Sequence, residues 1–228
     1  MKYTVLILTH LDKNECPLLP HLKWLFKSNP SSDVRIIFEK NNPFYDKKYY
    51  WKNGDKPLRK WWVENGDTVK NENVAVIEWD TLITCPLPNI PDGFDLVGKQ
   101  MFVENKQIRN KWTPLTMAHP NWTNDNWYWW QDIPKLEISE HETAVGLISF
   151  GAFFMKRFVL DLVCKPRWDN IYEKSIQNEL RFPTVASVEG VRISEIDLPF
   201  VHFQKMEYQN IPGIYHPIKN QINVDNVK

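Results

Sequence analysis

The stretch VAVIEWD (74–80) ends in two carboxylates, Glu78 and Asp80, separated by Trp79. In an extended strand side chains alternate, so Glu78 and Asp80 face one way and Trp79 the other. Two carboxylates on one side repel unless positive charge stands between them. A hard divalent cation such as Mg2+ or Mn2+, held by one or two carboxylates and the oxygens of a diphosphate, supplies that charge. The plainer alternative is a polar strand end whose carboxylates hold nothing in particular.

The surrounding sequence indicates what would position this pair. YTVLILT (3–9) and DVRIIFE (33–39) are continuous apolar, β-branched runs of strand length. Between them, ECPLLPHLKWLFKS spaces Leu19, Leu22, Leu25 and Phe26 as a helix does, with Pro20 near its first turns. KPLRKWWVENG (56–66) predicts a second short helix closed by Gly66, followed by a strand over NVAVIEW (73–79). Strands of unalternated polarity separated by helices predict an α/β fold with a mostly parallel sheet covered on both faces. Such sheets bind ligands beyond the carboxyl ends of their strands. Three ends converge there: Thr9 with His10, Glu39 with Lys40, and Glu78 with Asp80.

The second half is less regular. DLVGKQMF (95–102) predicts a strand, residues 112–133 form a tryptophan-dense loop, and GLISFGAFFM (146–155) reads as a strand broken at Gly151. KRFVLDLVCK predicts a helix, a further helix runs through NIYEKSIQNELR, and GIYHPIKNQINVDNVK reads as an irregular tail.

A chain of 228 residues makes one domain of catalytic size. Lys plus Arg equals Asp plus Glu at 28 each, so no net charge draws the protein to nucleic acid or an anionic membrane. The apolar run at the N-terminus is too short for a secretory core or a membrane span, which implies a cytoplasmic protein with no transmembrane segment. Cys16, Cys85 and Cys164 are odd in number and far apart, as expected of free thiols. No Gly-rich phosphate loop, zinc-ligand spacing or Gly-x-Ser-x-Gly elbow is present.

With an acid-x-acid pair at the end of the third strand of a strand-helix-strand series, the sequence resembles the nucleotide-sugar glycosyltransferases of the GT-A fold. Their Asp-x-Asp motif at this place holds the metal and the donor diphosphate. Here Glu78 stands where the first Asp is usual. The resemblance implies a single-domain, Rossmann-like sheet flanked by helices. It divides into a donor and metal half (about 1–100), an acceptor half (about 101–205) and a tail closing over the donor (206–228). It further implies that His216 in GIYHPIK completes a Mn2+ or Mg2+ site with Glu78 and Asp80, and that Lys219 meets the diphosphate. Thr9, Glu39, Arg59 and Trp79 fall by position near the nucleotide. LISFGAFFMKRF resembles the acceptor-side strand, where Gly151 and Ala152 would let a sugar approach the backbone. Trp129 and Trp130, in the tryptophan loop, could stack on a sugar ring. Glu179 in NELRFPTV is similar to the acidic residue that deprotonates the acceptor hydroxyl in inverting members, with Glu173 and Asp169 as rivals.

The function implied is transfer of a sugar from a nucleoside-diphosphate sugar to a hydroxyl acceptor. A sugar nucleotidyltransferase on a similar sheet, or a metal-independent carbohydrate-binding protein using the tryptophan loop, are the alternatives.

Overall fold

In the computed structural model, the residues described are 2–9, 18–38, 53–104, 145–174, 176, 178–196, 200–202 and 212–216. Strand β1 (Tyr3–Thr9) is buried along its whole length. Its side chains alternate between two cores, with Leu6 and Leu8 in one and Tyr3, Val5 and Ile7 in the other. Burial on both faces explains why the run carries no polar alternation. The same division recurs in β3 (Asn73–Glu78), where Val74 and Val76 oppose Ala75 and Ile77. In β6 (Val145–Lys156), Phe153 and Met155 oppose Ala152 and Phe154.

With β2 (Asp33–Phe38), β5 (Leu96–Glu104) and β7 (Ile193–Glu195), these strands form a six-stranded sheet in the order β2-β1-β3-β6-β5-β7. β1 is parallel to β2 and β3, β5 is parallel to β7, and β6 runs against both of its neighbours. The sheet is therefore mostly parallel with one reversed strand. A smaller sheet, ordered β4-β9-β8, joins β4 (Leu82–Ile83), β8 (Phe200–His202) and β9 (Ile214–His216).

One face of the large sheet packs on α1 (Leu18–Ser28) through Leu22 and Leu25, and on the small sheet through Ile83 and Ile214. The other face is covered by α2 (Asp55–Asn65), α3 (Arg157–Val163), α4 (Asp169–Glu173) and α5 (Asn178–Val188), which contribute Leu58, Trp62, Leu160, Tyr172, Leu180 and Val185 among others. The result is a single-domain α/β fold, a mostly parallel central sheet flanked by helices. No helix among the described residues is long and apolar enough to cross a membrane.

Three local expectations are corrected. β6 is one continuous strand through Gly151, although its register with β5 shifts there, from Gly98 opposite Phe153 to Gln100 opposite Ile148. The helix expected through NIYEKSIQNELR is two, α4 and α5. The tail is not irregular throughout, because Ile214–His216 pairs with both β4 and β8.

The helical face also encloses an ion pair. Arg181 on α5 and Asp55 in the first turn of α2 are both fully buried. Arg181 Nε donates to Asp55 Oδ2 at 2.7 Å, Nη2 pairs with Asp55 Oδ1, and Nη1 donates to the Lys174 carbonyl at 2.9 Å.

Candidate metal centre

β3 ends at Glu78, and Trp79 and Asp80 form a tight turn in place of the expected strand continuation. Two backbone bonds shape it: Trp79 N–H donates to the Leu8 carbonyl at 2.9 Å, and Thr81 N–H donates to the Glu78 carbonyl at 3.0 Å. The turn, and not the alternation of a strand, brings the two carboxylates together. β4 begins immediately afterwards and pairs antiparallel with β9, Leu82 opposite Tyr215 and Ile83 opposite Ile214. That register carries His216 to the level of the turn.

His216 Nε2 stands 2.7 Å from Glu78 Oε2 and 3.3 Å from Asp80 Oδ1. All three side chains are largely buried, at 14%, 15% and 11% exposure for His216, Glu78 and Asp80. Burial alone would push the imidazole pKa down. Its hydrogen bonds to Asp80 and Glu78, with their negative charges, outweigh this and raise it to about 10. At neutral pH the metal-free centre therefore holds a protonated imidazole between its carboxylates, the charge arrangement a cation would also satisfy.

The donor set fits such a cation. One ligand atom from each residue lies within 4.8 Å of the others. Neighbouring ligands on an octahedral ion at ~2.1 Å stand roughly 3 Å apart, so only small adjustments separate this arrangement from coordination. Two carboxylate oxygens and one imidazole nitrogen suit a divalent ion of hard or borderline character.

The remaining predicted residues are distributed as follows. Thr9 lies buried at the carboxyl end of β1, next to the Leu8–Glu78 pairing, so it borders the site. Trp79 is half-buried in the turn and packs on the core that contains Ile77 and Ile83. Arg59, expected at the nucleotide, is engaged elsewhere. Its guanidinium donates to the carbonyls of Cys164 and Lys165 at 3.3 and 3.2 Å, pairs with Asp169, and lies 4.9 Å from the Tyr172 ring. This also accounts for Asp169, one of the rival bases. Glu179 is in the first turn of α5 with its N–H bonded to Asn178 Oδ1 at 2.9 Å, and it is not a member of the Glu78–Asp80–His216 group.

The acceptor assignments to Gly151 and Ala152 need correction. The space where a Gly151 side chain would stand is filled by the His216 ring. Ala152 is fully buried in the core with Phe154 and Ile77, away from any surface a sugar could reach. Glu39, Trp129, Trp130 and Lys219 lie outside the described residues. Sequence reasoning missed Thr81, whose buried hydroxyl donates to the Gly151 carbonyl at 2.6 Å and ties the carboxylate turn to β6. A threonine directly after an acid-x-acid turn was the only available signal. Cys85 and Cys164 are buried free thiols, as expected, with burial raising their pKa values to about 11 and about 12.

No family model matches the chain, and no curated protein matches it. Solved structures give distant similarities. Mouse xyloside xylosyltransferase 1, in its apo form, is 11% identical over 95% of this chain and 97% of its own, with a TM-score of 0.46. A197 from STIV is 14% identical over 88% of this chain and 86% of its own, with a TM-score of 0.44. A Bacillus anthracis protein described as a putative glucose-1-phosphate thymidylyltransferase, in complex with a sucrose, is 11% identical over 86% of this chain and 87% of its own, with a TM-score of 0.41. None of these carries a residue role across to this chain.

Proposed function

We propose that this protein is a metal-dependent glycosyltransferase that moves a sugar from a nucleoside-diphosphate sugar to a hydroxyl of a glycan or similar acceptor, with inversion. The observation that carries the reading is the gathering of Glu78, Asp80 and His216 at the carboxyl ends of β1 and β3. That is where ligands of an open α/β sheet bind. The ion is Mn2+ or Mg2+, either of which the two carboxylates suit. Bound there, the ion supplies charge stabilisation for the departing nucleoside diphosphate.

Glu78, Asp80 and His216 hold the ion, Thr9 and Trp79 border the nucleotide, and Lys219 neutralises the diphosphate beside it. Glu39 approaches the ribose or base, and Trp129 and Trp130 stack on the acceptor. Glu179 takes the proton of the acceptor hydroxyl as it attacks the anomeric carbon. In this reading residues 1–100 are the donor and metal half, 101–205 the acceptor half, and 206–228 the tail closing over the donor site.

Incubation with a panel of nucleoside-diphosphate sugars and simple glycoside acceptors tests this. Release of a nucleoside diphosphate with Mn2+, abolished by EDTA and by Asp80→Ala, is expected. Turnover indifferent to both would overturn the reading. Formation of pyrophosphate from a nucleoside triphosphate and a sugar 1-phosphate would make the protein a nucleotidyltransferase instead.

A further inference from the structure

Gly151 interrupts the apolar side chains of β6 one residue beyond the Ile77–Ala152 pair. A glycine inside a strand weakens it, through lost side-chain packing and a larger entropy cost of folding. A compensating reason is therefore expected at this position.

The neighbourhood supplies one. A Cβ on residue 151 would stand 2.5 Å from both Cγ and Nδ1 of His216 and 3.0 Å from its Cβ. These atoms are the root of the imidazole and not a flexible far end. The ring cannot move aside without withdrawing Nε2 from Glu78 and Asp80, which it meets at 2.7 and 3.3 Å. The carbonyl of the same glycine accepts the Thr81 hydroxyl at 2.6 Å, and Thr81 N–H closes the turn that presents the carboxylates. One residue of β6 thus contacts both parts of the ligand set, the imidazole over its Cα and the carboxylate turn through its carbonyl.

We propose that Gly151 and Thr81 are positioning residues of the metal centre. Gly151 is the seat of the His216 ring, and Thr81 fixes the Glu78–Asp80 turn to that seat. This rests on the metal reading of the three ligands. It replaces the acceptor role first expected of Gly151 with a demand made inside the protein: any side chain at 151 displaces the nitrogen ligand.

Urea denaturation in EDTA of wild type, Gly151→Ala, His216→Ala and the double variant tests the seat without any metal. With alanine at 216 the nearest contact is a single Cβ at 3.0 Å, a milder clash than the two ring atoms at 2.5 Å. Gly151→Ala is therefore expected to lower the folding constant at least tenfold more in wild type than in the His216→Ala background. An equal cost in both backgrounds would overturn the proposal.

Mn2+ affinity, read from the electron paramagnetic resonance of the free aquo ion, tests Thr81. Thr81→Val is expected to weaken Mn2+ binding at least tenfold, and Thr81→Ser, which keeps the hydroxyl, to restore it to within about threefold of wild type. Wild-type affinity in Thr81→Val, or no rescue by serine, would overturn Thr81's part. If wild type itself bound no Mn2+, the metal reading would fall, while coupling between positions 151 and 216 would still establish the seat. The two failures are thus told apart.

Discussion

Arg181→Met should destabilise this protein far more than loss of any surface ion pair. Arg181 and Asp55 are both 0% exposed, joined through Nε to Oδ2 at 2.7 Å and through Nη2 to Oδ1. The Lys174 carbonyl and Asn53 Oδ1, at 2.9 and 3.4 Å, accept from two more of the guanidinium's donors, and the Tyr172 ring lies 5.2 Å from it. Removing the arginine strips a fully buried carboxylate of its paired guanidinium, which costs about 3–5 kcal/mol. In a domain of this size each kcal/mol moves Tm by roughly 2–4 °C, so a fall of about 6–20 °C is expected. Asp55→Leu combined with Arg181→Met removes both charges and should recover most of the loss. The exposed Lys99–Glu195 pair, whose side chains are 35% and 50% accessible, provides the control, and Lys99→Ala should cost no more than about 1 kcal/mol. Urea denaturation followed by tryptophan fluorescence reads all four proteins, with unchanged m-values confirming that the folded state is compared like for like. A loss below about 1 kcal/mol in Arg181→Met, or a double variant no more stable than Arg181→Met, would refute the reasoning.

Two titrations extend the account. Asp95 is buried, which alone would raise its pKa, but bonds from the Arg192 and Lys156 side chains and the Arg192 N–H lower it from 3.8 to about 2. Its contribution is complete above the ordinary carboxylate range and is lost as pH falls through about 2. Asp95→Asn should cost on the order of 2 kcal/mol at pH 7 in urea denaturation, the difference from wild type shrinking between about pH 4 and pH 2. His216 is shifted the opposite way, from 6.5 to about 10, so its contribution to the metal-free protein is complete below about 6.5 and is lost as pH rises through about 10. Mn2+ must displace that proton, so its affinity should rise about tenfold per pH unit between about pH 7 and 9, with one proton released per ion. Titration calorimetry in buffers of different ionisation enthalpy checks this, and a pH-independent affinity would refute it.

The elements that carry the site were legible wherever burial alone determined them. β1 and β3 lie between two cores, so their composition announced them. Gly66 closed α2 where expected, although in right-handed helical geometry, leading into a short 3-10 turn over Gly66–Thr68. What escaped was set by long-range partners. β9 has only three residues and exists because β4 and β8 flank it, which no local pattern records. The Arg181–Asp55 pair joins residues 126 apart in sequence. Gly151 was misread in instructive fashion. A glycine in a strand suggested a break and an approaching sugar, whereas the group that approaches is the imidazole of His216. The carboxylate pair was anticipated for an incomplete reason, since a turn held by Leu8 and Thr81, and not strand alternation, gathers it.

The most direct test of the central claim is thermal unfolding of wild type and Asp80→Ala against a panel of nucleoside diphosphates, each with and without Mn2+. A ligand at 100 times its Kd adds about 2.7 kcal/mol, or roughly 5–10 °C here. The account predicts a rise of that order for one nucleotide, dependent on Mn2+ and absent in Asp80→Ala. No shift with any nucleotide, or a shift that persists without Mn2+ and in the variant, would contradict it and leave Glu78, Asp80 and His216 as a polar cluster that only braces the end of a strand.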